Sequence, residues 1–285
     1  MKITSKVKNI LSWYSSDNPG TKTNLCRMLM HGNLAGTGKL VILPVDQGFE
    51  HGPDKSFSRN KEAYDPHYHY KLAIDAGLSA YAAPLGMIEC GASEFAGQIP
   101  TILKLNSSNS LLPKSHMPDQ AFTATVDDAL RLGCVGVGLT IYPGSGKSLE
   151  MIEEAKDIIR EAKSRGLVSV VWSYPRGEDL SKEDETSTSA ISYAAHIAAL
   201  IGAHIIKVKP PEDGNIKHIV KSCFNGKRIV VFSGGVAKSD NDIIAEVRAI
   251  NSAQGNGSII GRNSFQGPKE EATKLLKEIC LIYKN

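Results

Sequence analysis

The 285-residue sequence contains no stretch approaching the roughly 18 consecutive apolar positions that a membrane-spanning helix requires. Its opening, MKITSKVKNILSWYSS, scatters lysines through the apolar residues and so lacks the uninterrupted core of a secretory signal. Cysteine is sparse. The five residues Cys26, Cys90, Cys134, Cys223 and Cys280 are odd in number and include no C-x-x-C pair, which argues against a disulfide framework or a zinc cluster. They read as reduced thiols, mostly filling core, and the expected location is cytoplasmic. Neither sign of charge dominates: 33 basic against 30 acidic residues leave a net charge of +3, too mild to imply nucleic-acid binding. Neither nucleic acid nor a membrane is an expected partner.

Familiar ligand motifs are missing as well. YPGSGKSLE (142–150) fails as a phosphate-binding P-loop because the pattern needs glycine at 141, which is Ile141, and GNLAGTGKL fails similarly. The HYH at 67–69 suggests a metal pair, but residues i and i+2 near a helix start point in different directions, so His67 and His69 read as solvated helix histidines. No spacing assembles a zinc site, and no metal or cofactor is expected.

What is present is a rhythm. Short runs rich in Val, Ile and Ala alternate with longer helical patterns from residue 39 to the end, the pattern of βα units around a parallel sheet. Eight candidate strands fall at 39–45, 78–83, 101–106, 134–141, 167–172, 203–209, 228–233 and 257–261. Between them, YDPHYHYKLAIDAG opens with Asp65 as N-cap and Pro66 in the first turn, and SLEMIEEAKDIIREAKSRG (148–166) ends with cations at the negative helix end. Further helices are expected near 187–201, 214–223, 239–253 and 268–282. Eight strands with helices in about 250 residues predict an α/β fold, a (β/α)8 TIM barrel spanning 39–285 as one catalytic domain. Residues 1–38 form an N-terminal extension capping one end. A doubly wound sheet is the alternative, but no strand leads into G-x-G-x-x-G; the nearest string, GCVGVGLT (133–140), puts its glycines inside a strand, where close barrel packing explains them.

In such a barrel, chemistry sits at the C-terminal strand ends. HIIKVKPPEDG (204–214) places Lys207 and Lys209 on one face of the sixth strand, because strand side chains alternate. Burial and a like charge roughly 7 Å away both lower a lysine pKa from about 10.4, and a neutral amine is what attack on a carbonyl requires. The alternative is that one or both lysines reach the barrel mouth or bind phosphate. VVWSYPRG (170–177) puts Trp172 and Tyr174 on one face, the phenol able to shuttle a proton and the indole to form a wall, or both merely filling the barrel top. Asp46, in PVDQGFEHGP, either orients water beside a protonated intermediate or caps a helix. VFSGGVAKS and GSIIGRNSF end strands seven and eight in glycine turns, so Ser233, Gly234, Gly235, Gly261 and Arg262 are candidates for holding a phosphate. Gly144 and Ser145, after strand four, are candidates for a second.

DQGFEHGP, LTIYPGSG, VVWSYPRG, IIKVK, SGG and GRNSFQ occur in barrel order, and this set resembles the archaeal-type class I fructose-bisphosphate aldolases, a TIM-barrel group with related bacterial members. The EHGP and WSYPRG strings favour the bisphosphate aldolase within the wider group. By this resemblance Lys207 is the Schiff-base lysine, Tyr174 the proton-transfer residue, Asp46 the active-site aspartate and Trp172 its pocket neighbour. Gly234, Gly235, Gly261 and Arg262 match the phosphate loops, and a homo-oligomer such as a decamer is implied. Lys209 is expected to keep the pKa of Lys207 low and to touch phosphate. Gln47 departs from the pattern, standing where relatives often carry histidine, and bears on substrate preference. The expected reaction is metal-independent cleavage of fructose 1,6-bisphosphate into dihydroxyacetone phosphate and glyceraldehyde 3-phosphate. The rivals are a Schiff-base transaldolase-like enzyme of aromatic precursor synthesis, a phosphate-binding isomerase barrel with no covalent step, and a non-catalytic sugar-phosphate sensor.

Overall fold

The structure is a computed structural model describing residues 2–113, 115–234 and 238–285. Eight strands close into a barrel: β1 (Leu40–Pro44), β2 (Ala80–Pro84), β3 (Thr101–Lys104), β4 (Gly136–Ile141), β5 (Val168–Ser173), β6 (Ile205–Val208), β7 (Ile229–Ser233) and β8 (Gly257–Ile259). Every neighbouring pair is parallel, and β1 closes the ring against β8 with Leu40 opposite Gly257. Gly257 is obligatory there: its φ is +141°, and a Cβ would lie 1.8 Å from the Leu40 carbonyl oxygen. The barrel class expected from strand count is therefore the one observed.

Alternation of side chains along each strand splits the core in two. Outward-facing Leu43, Tyr81, Val137, Val171, Ile206 and Val230 pack against the surrounding helices. These include Pro66–Asp75, Ser148–Ser164, Thr188–Leu200, Asp240–Ser252 and Lys269–Lys284. Inward-facing Ile42, Ala82, Ile102, Val170, Ile205 and Val231 form a second cluster on the barrel axis. Asp65 caps the first of those helices as expected, its carboxylate accepting from the His67 amide at 2.9 Å. The two histidines at its start depart from expectation. His69 is fully buried among Phe57, Tyr68 and Phe265, with Nε2 on the Ala63 carbonyl, and burial lowers its pKa to about 4. It is a core side chain, held neutral; His67 lies nearer the surface against Glu94 and the Cys90 carbonyl.

The inner cluster continues downward into the first residues of the chain. Helices Ser5–Ser12 and Pro19–Leu29 supply Val7, Ile10, Leu25 and Leu29 to it. A buried polar knot fastens them to the base of β5, β6 and β7. The Tyr14 hydroxyl donates to the His204 carbonyl at 2.6 Å and accepts from the Ile229 amide at 3.1 Å. His204 Nδ1 accepts from the Ser169 amide, which puts the ring proton on Nε2, facing Asp17 at 3.0 Å. Lys163 stands 3.5 Å from the same carboxylate. Replacing Tyr14 by phenylalanine strands the buried Ile229 amide and should lower stability by about 1–3 kcal/mol. Urea unfolding at fixed pH reads that loss, and an unchanged midpoint would mean the knot contributes nothing to holding the extension down. Among the described residues no helix is long and apolar enough to cross a membrane.

Candidate active site

Toward the C-terminal strand ends the inner apolar cluster stops, and charged and aromatic side chains replace it. A cavity of about 290 Å³ opens there, lined by residues after β1, β5, β6, β7 and β8. Lys207 is 5% exposed, Trp172 2% and Asp46 6%. In a site this dry, each charge depends on its neighbours rather than on water.

Register brings the central pair together. Lys207 on β6 is directly opposite Trp172 on β5. Its ammonium lies 5.0 Å from the centre of the indole and 5.9 Å from that of the Tyr174 ring, and the Lys209 ammonium also lies 5.9 Å from the centre of that phenol. Trp172 fits only because β4 carries no side chain at Gly138: a Cβ there would come within 2.4 Å of the indole. The glycines inside that strand thus have the packing role their position implies.

Asp46 ends β1 and sits at the N-cap of a short helix, Gln47–His51, yet its carboxylate makes no capping hydrogen bond. The side chain is a charge neighbour of Lys207, Lys104, Glu50 and Tyr174 instead. The same helix turns Gln47, Glu50 and His51 into the cavity.

Burial lowers the pKa of Lys207 to about 8; Asp46 and Glu50 oppose the shift, and Lys104 and Arg262 add to it. Lys209 is not among these leading influences. Its own pKa is lowered by burial and by Arg176, and its other near charges are Glu185, Arg262 and Glu212, so it belongs to the cavity mouth. The expectation that Lys209 is what keeps Lys207 neutral is corrected accordingly. Burial, with Asp46 and Glu50 nearby, drives the Tyr174 phenol well above its ordinary range, so it is a protonated donor at neutral pH. Glu50 is pushed upward by burial and by Asp46.

Ser233, Gly234, Gly261 and Arg262 meet on the far wall. Asn263 ties the two loops together, donating to the Gly234 carbonyl at 3.0 Å and accepting from the Lys238 amide at 3.1 Å. Gly261 is forced: a Cβ would fall 2.5 Å from the Pro44 carbonyl oxygen. Gly235 lies outside the described residues. Gly144 and Ser145 do not join the cavity. The Ser145 hydroxyl donates to the Pro118 carbonyl at 2.5 Å, and Gly144 packs against the backbone of Arg176 and Gly177. Three buried polar atoms on the cavity wall, Trp172 Nε1, Gln47 Oε1 and Ser233 Oγ, have no hydrogen-bond partner among the described residues. Buried polar atoms are ordinarily paired, so these mark where a polar ligand would be held.

Glu50, His51, Arg176, Asn263 and Lys104 escape the sequence reading. The last was findable: Lys104 interrupts the apolar run TILKLN as Lys207 interrupts HIIKVK.

The sequence and the fold have known counterparts. The profile of the DeoC/LacD family aldolases matches residues 40–267. A probable class 1 fructose-bisphosphate aldolase of Chlamydia muridarum is 35% identical over 94% of this chain and 86% of its own length. The class 1 fructose-bisphosphate aldolase of Thermoproteus tenax is 37% identical over 87% of this chain and 91% of its own. An archaeal fructose-1,6-bisphosphate aldolase, solved with its catalytic lysine bound to the carbinolamine intermediate of the substrate, superposes with a TM-score of 0.82 at 33% identity, covering 92% of this chain and 99% of that one. The chain belongs to the DeoC/LacD family of aldolases.

Proposed function

We propose that the protein is a class I fructose-bisphosphate aldolase in which Lys207 forms the Schiff base. The observation that carries the reading is the buried amine of Lys207, held near a pKa of about 8 at the floor of a cavity walled by carboxylates, a phenol and two glycine turns. At pH 7 a pKa of 8 leaves about a tenth of the lysine neutral, against about one part in three thousand at 10.5, a gain in nucleophile of roughly 300-fold. Burial lowers Lys39 to about 8 as well, so it is the cavity and its carboxylates, phenol and phosphate loops that give the shift at Lys207 a chemical use.

The open-chain ketose offers its C2 carbonyl to the neutral amine. Attack gives a carbinolamine, loss of water gives an iminium ion, and that cation is the electron sink for the next step. Removal of the C4 hydroxyl proton breaks the C3–C4 bond, releases glyceraldehyde 3-phosphate and leaves an enamine on Lys207. Tyr174, protonated and beside the amine, is our candidate for protonating C3, and the carboxylates of the cavity wall, Asp46 and Glu50, are the available acceptors for the C4 hydroxyl proton. Asp46 assists the carbinolamine steps and balances the iminium charge. Hydrolysis frees dihydroxyacetone phosphate and restores the amine. Ser233, Gly234, Gly261 and Arg262 are suited to hold one phosphate, while Lys209 and Arg176 supply positive charge at the mouth for the other. Gly235 remains part of this proposal from its sequence position.

The test is a coupled assay for triose phosphates released from fructose 1,6-bisphosphate with a chelator present. Cleavage at a rate indifferent to the chelator is the expected result. No triose phosphate at any enzyme concentration would overturn the substrate assignment.

A further inference from the structure

Lys104 is the most deeply buried cation near the site, 1% exposed, and it does not line the cavity. It ends β3 opposite Gly138 of β4. Because Gly138 has no side chain, the Trp172 indole extends across β4, and the Lys104 ammonium lies 5.6 Å from the centre of the ring. Lys207 lies 5.0 Å from that centre. One aromatic ring therefore lies between the nucleophile on β6 and a second lysine three strands away on β3.

The mount of Lys104 is rigid. Its ammonium donates to both oxygens of Asn106, the side-chain one at 3.0 Å. Asn106 is itself locked to β4, donating to the Thr140 carbonyl at 2.9 Å and accepting from the Thr140 amide at 2.7 Å. Both hydrogen bonds to the ammonium end on neutral oxygens, so no carboxylate quenches its charge by direct contact. Burial lowers the pKa of Lys104 as it does that of Lys207, and Asp46 and Glu50, after β1, oppose the shift in both.

We propose that Lys104 is a positioning residue: an amine anchored on Asn106 behind Trp172 that holds the indole against the nucleophile and sets a basic group on the far side of the ring. The inference deepens the Schiff-base reading and rests on it. The groups facing Lys207 are Asp46 and Glu50 from the β1 side, Lys104 from β3, Tyr174 after β5 and Arg262 after β8. Removing Lys104 deletes a like charge and leaves Arg262 as the leading cation set against the two carboxylates, a change that favours the ammonium. The mark of the mechanism is therefore an alkaline displacement of Lys207's ionisation in a neutral Lys104 variant that the charge-retaining Lys104→Arg does not share, since loosened packing in either variant would also admit water and raise the midpoint.

The experiment is competitive labelling with acetic anhydride across pH, read as the extent of modification of the Lys207 peptide by mass spectrometry. It needs no substrate, so it reports on Lys104 even if the chain fails to cleave fructose bisphosphate. Lys104→Met should move the Lys207 midpoint up by about one pH unit. Lys209→Met should move it by no more than about a few tenths, since Lys209 is not among the leading charges acting on Lys207. With fructose bisphosphate, Lys104→Met should lose about tenfold in turnover at pH 7 and regain most of it as the pH rises past the new midpoint. Lys104→Gln, which keeps an amide donor for Asn106, carries the same expectation should the methionine variant fold poorly. A Lys207 midpoint unmoved in a folded Lys104→Met or Lys104→Gln protein overturns the proposal, as does a larger shift in Lys209→Met or an equal one in Lys104→Arg.

Discussion

Lys207→Met will abolish fructose bisphosphate cleavage, by on the order of 10⁴- to 10⁶-fold in kcat, and will raise the melting temperature. The first half follows from covalent catalysis: a barrel with its phosphate loops and phenol intact still orients the ketose but has no amine to turn C2 into an electron sink, and losing a nucleophile removes most of an enzyme's advantage over water. The second half follows from burial. The folded-state pKa of Lys207, about 8, lies below the unfolded value near 10.5, so at neutral pH the folded protein holds an ammonium in a place that disfavours it. A difference of this sign destabilises the fold below pH 8 and is relieved as pH rises from 8 toward 10.5, where the unfolded chain also loses its proton. The penalty is up to about 3 kcal/mol by linkage, a net figure that already includes the favourable effect of Asp46 and Glu50. Methionine fills the same channel beside Trp172 without a charge, so a rise of a few degrees is expected in calorimetry at pH 7. Residual turnover above about 1% of the wild-type rate would remove Lys207 from the mechanism, and a lower melting temperature would mean that its burial is not strained.

Tyr174→Phe should cost about 10²- to 10⁴-fold in kcat, the range for loss of a general acid–base group, with KM changed little. The ring of Tyr174 touches both lysines, and phenylalanine keeps it. What goes is the hydroxyl, a donor that burial and the two carboxylates keep protonated. Because imine formation does not need the phenol in this account, the variant should still be trapped by borohydride with dihydroxyacetone phosphate, while proton exchange at C3 of the bound enamine slows with turnover. A variant that neither traps nor turns over would place Tyr174 in the carbinolamine steps instead. Unchanged turnover would leave it a wall.

The barrel was legible because its strands are buried on both faces, which writes each as a short β-branched run, and because long helices such as Ser148–Ser164 have room for several turns of periodicity. The five-residue helix Gln47–His51 has no such room. It reads as a glycine turn, and with it went Glu50 and His51, which reach the cavity only because that turn is helical. Lys207 and Trp172 were legible as neighbours since adjacent parallel strands of similar length fix their register. The link from Trp172 to Lys104 was not, because it depends on an indole crossing a strand at the one place where a glycine lets it pass. Gly144 and Ser145 illustrate the opposite error. A glycine-serine turn after a strand has the composition of an anion site, but Ser145 is already committed to Pro118, and the loop after β5 packs against Gly144. Lys209 was paired with Lys207 by strand alternation alone, whereas the charges around it belong to the mouth.

The most direct test is to incubate the protein with dihydroxyacetone phosphate, reduce with borohydride, digest and sequence the modified peptide by mass spectrometry. The account predicts one adduct per chain, a reduced triose phosphate on Nζ of Lys207. An adduct on Lys209 or Lys104, or none while cleavage of fructose bisphosphate proceeds, would contradict it.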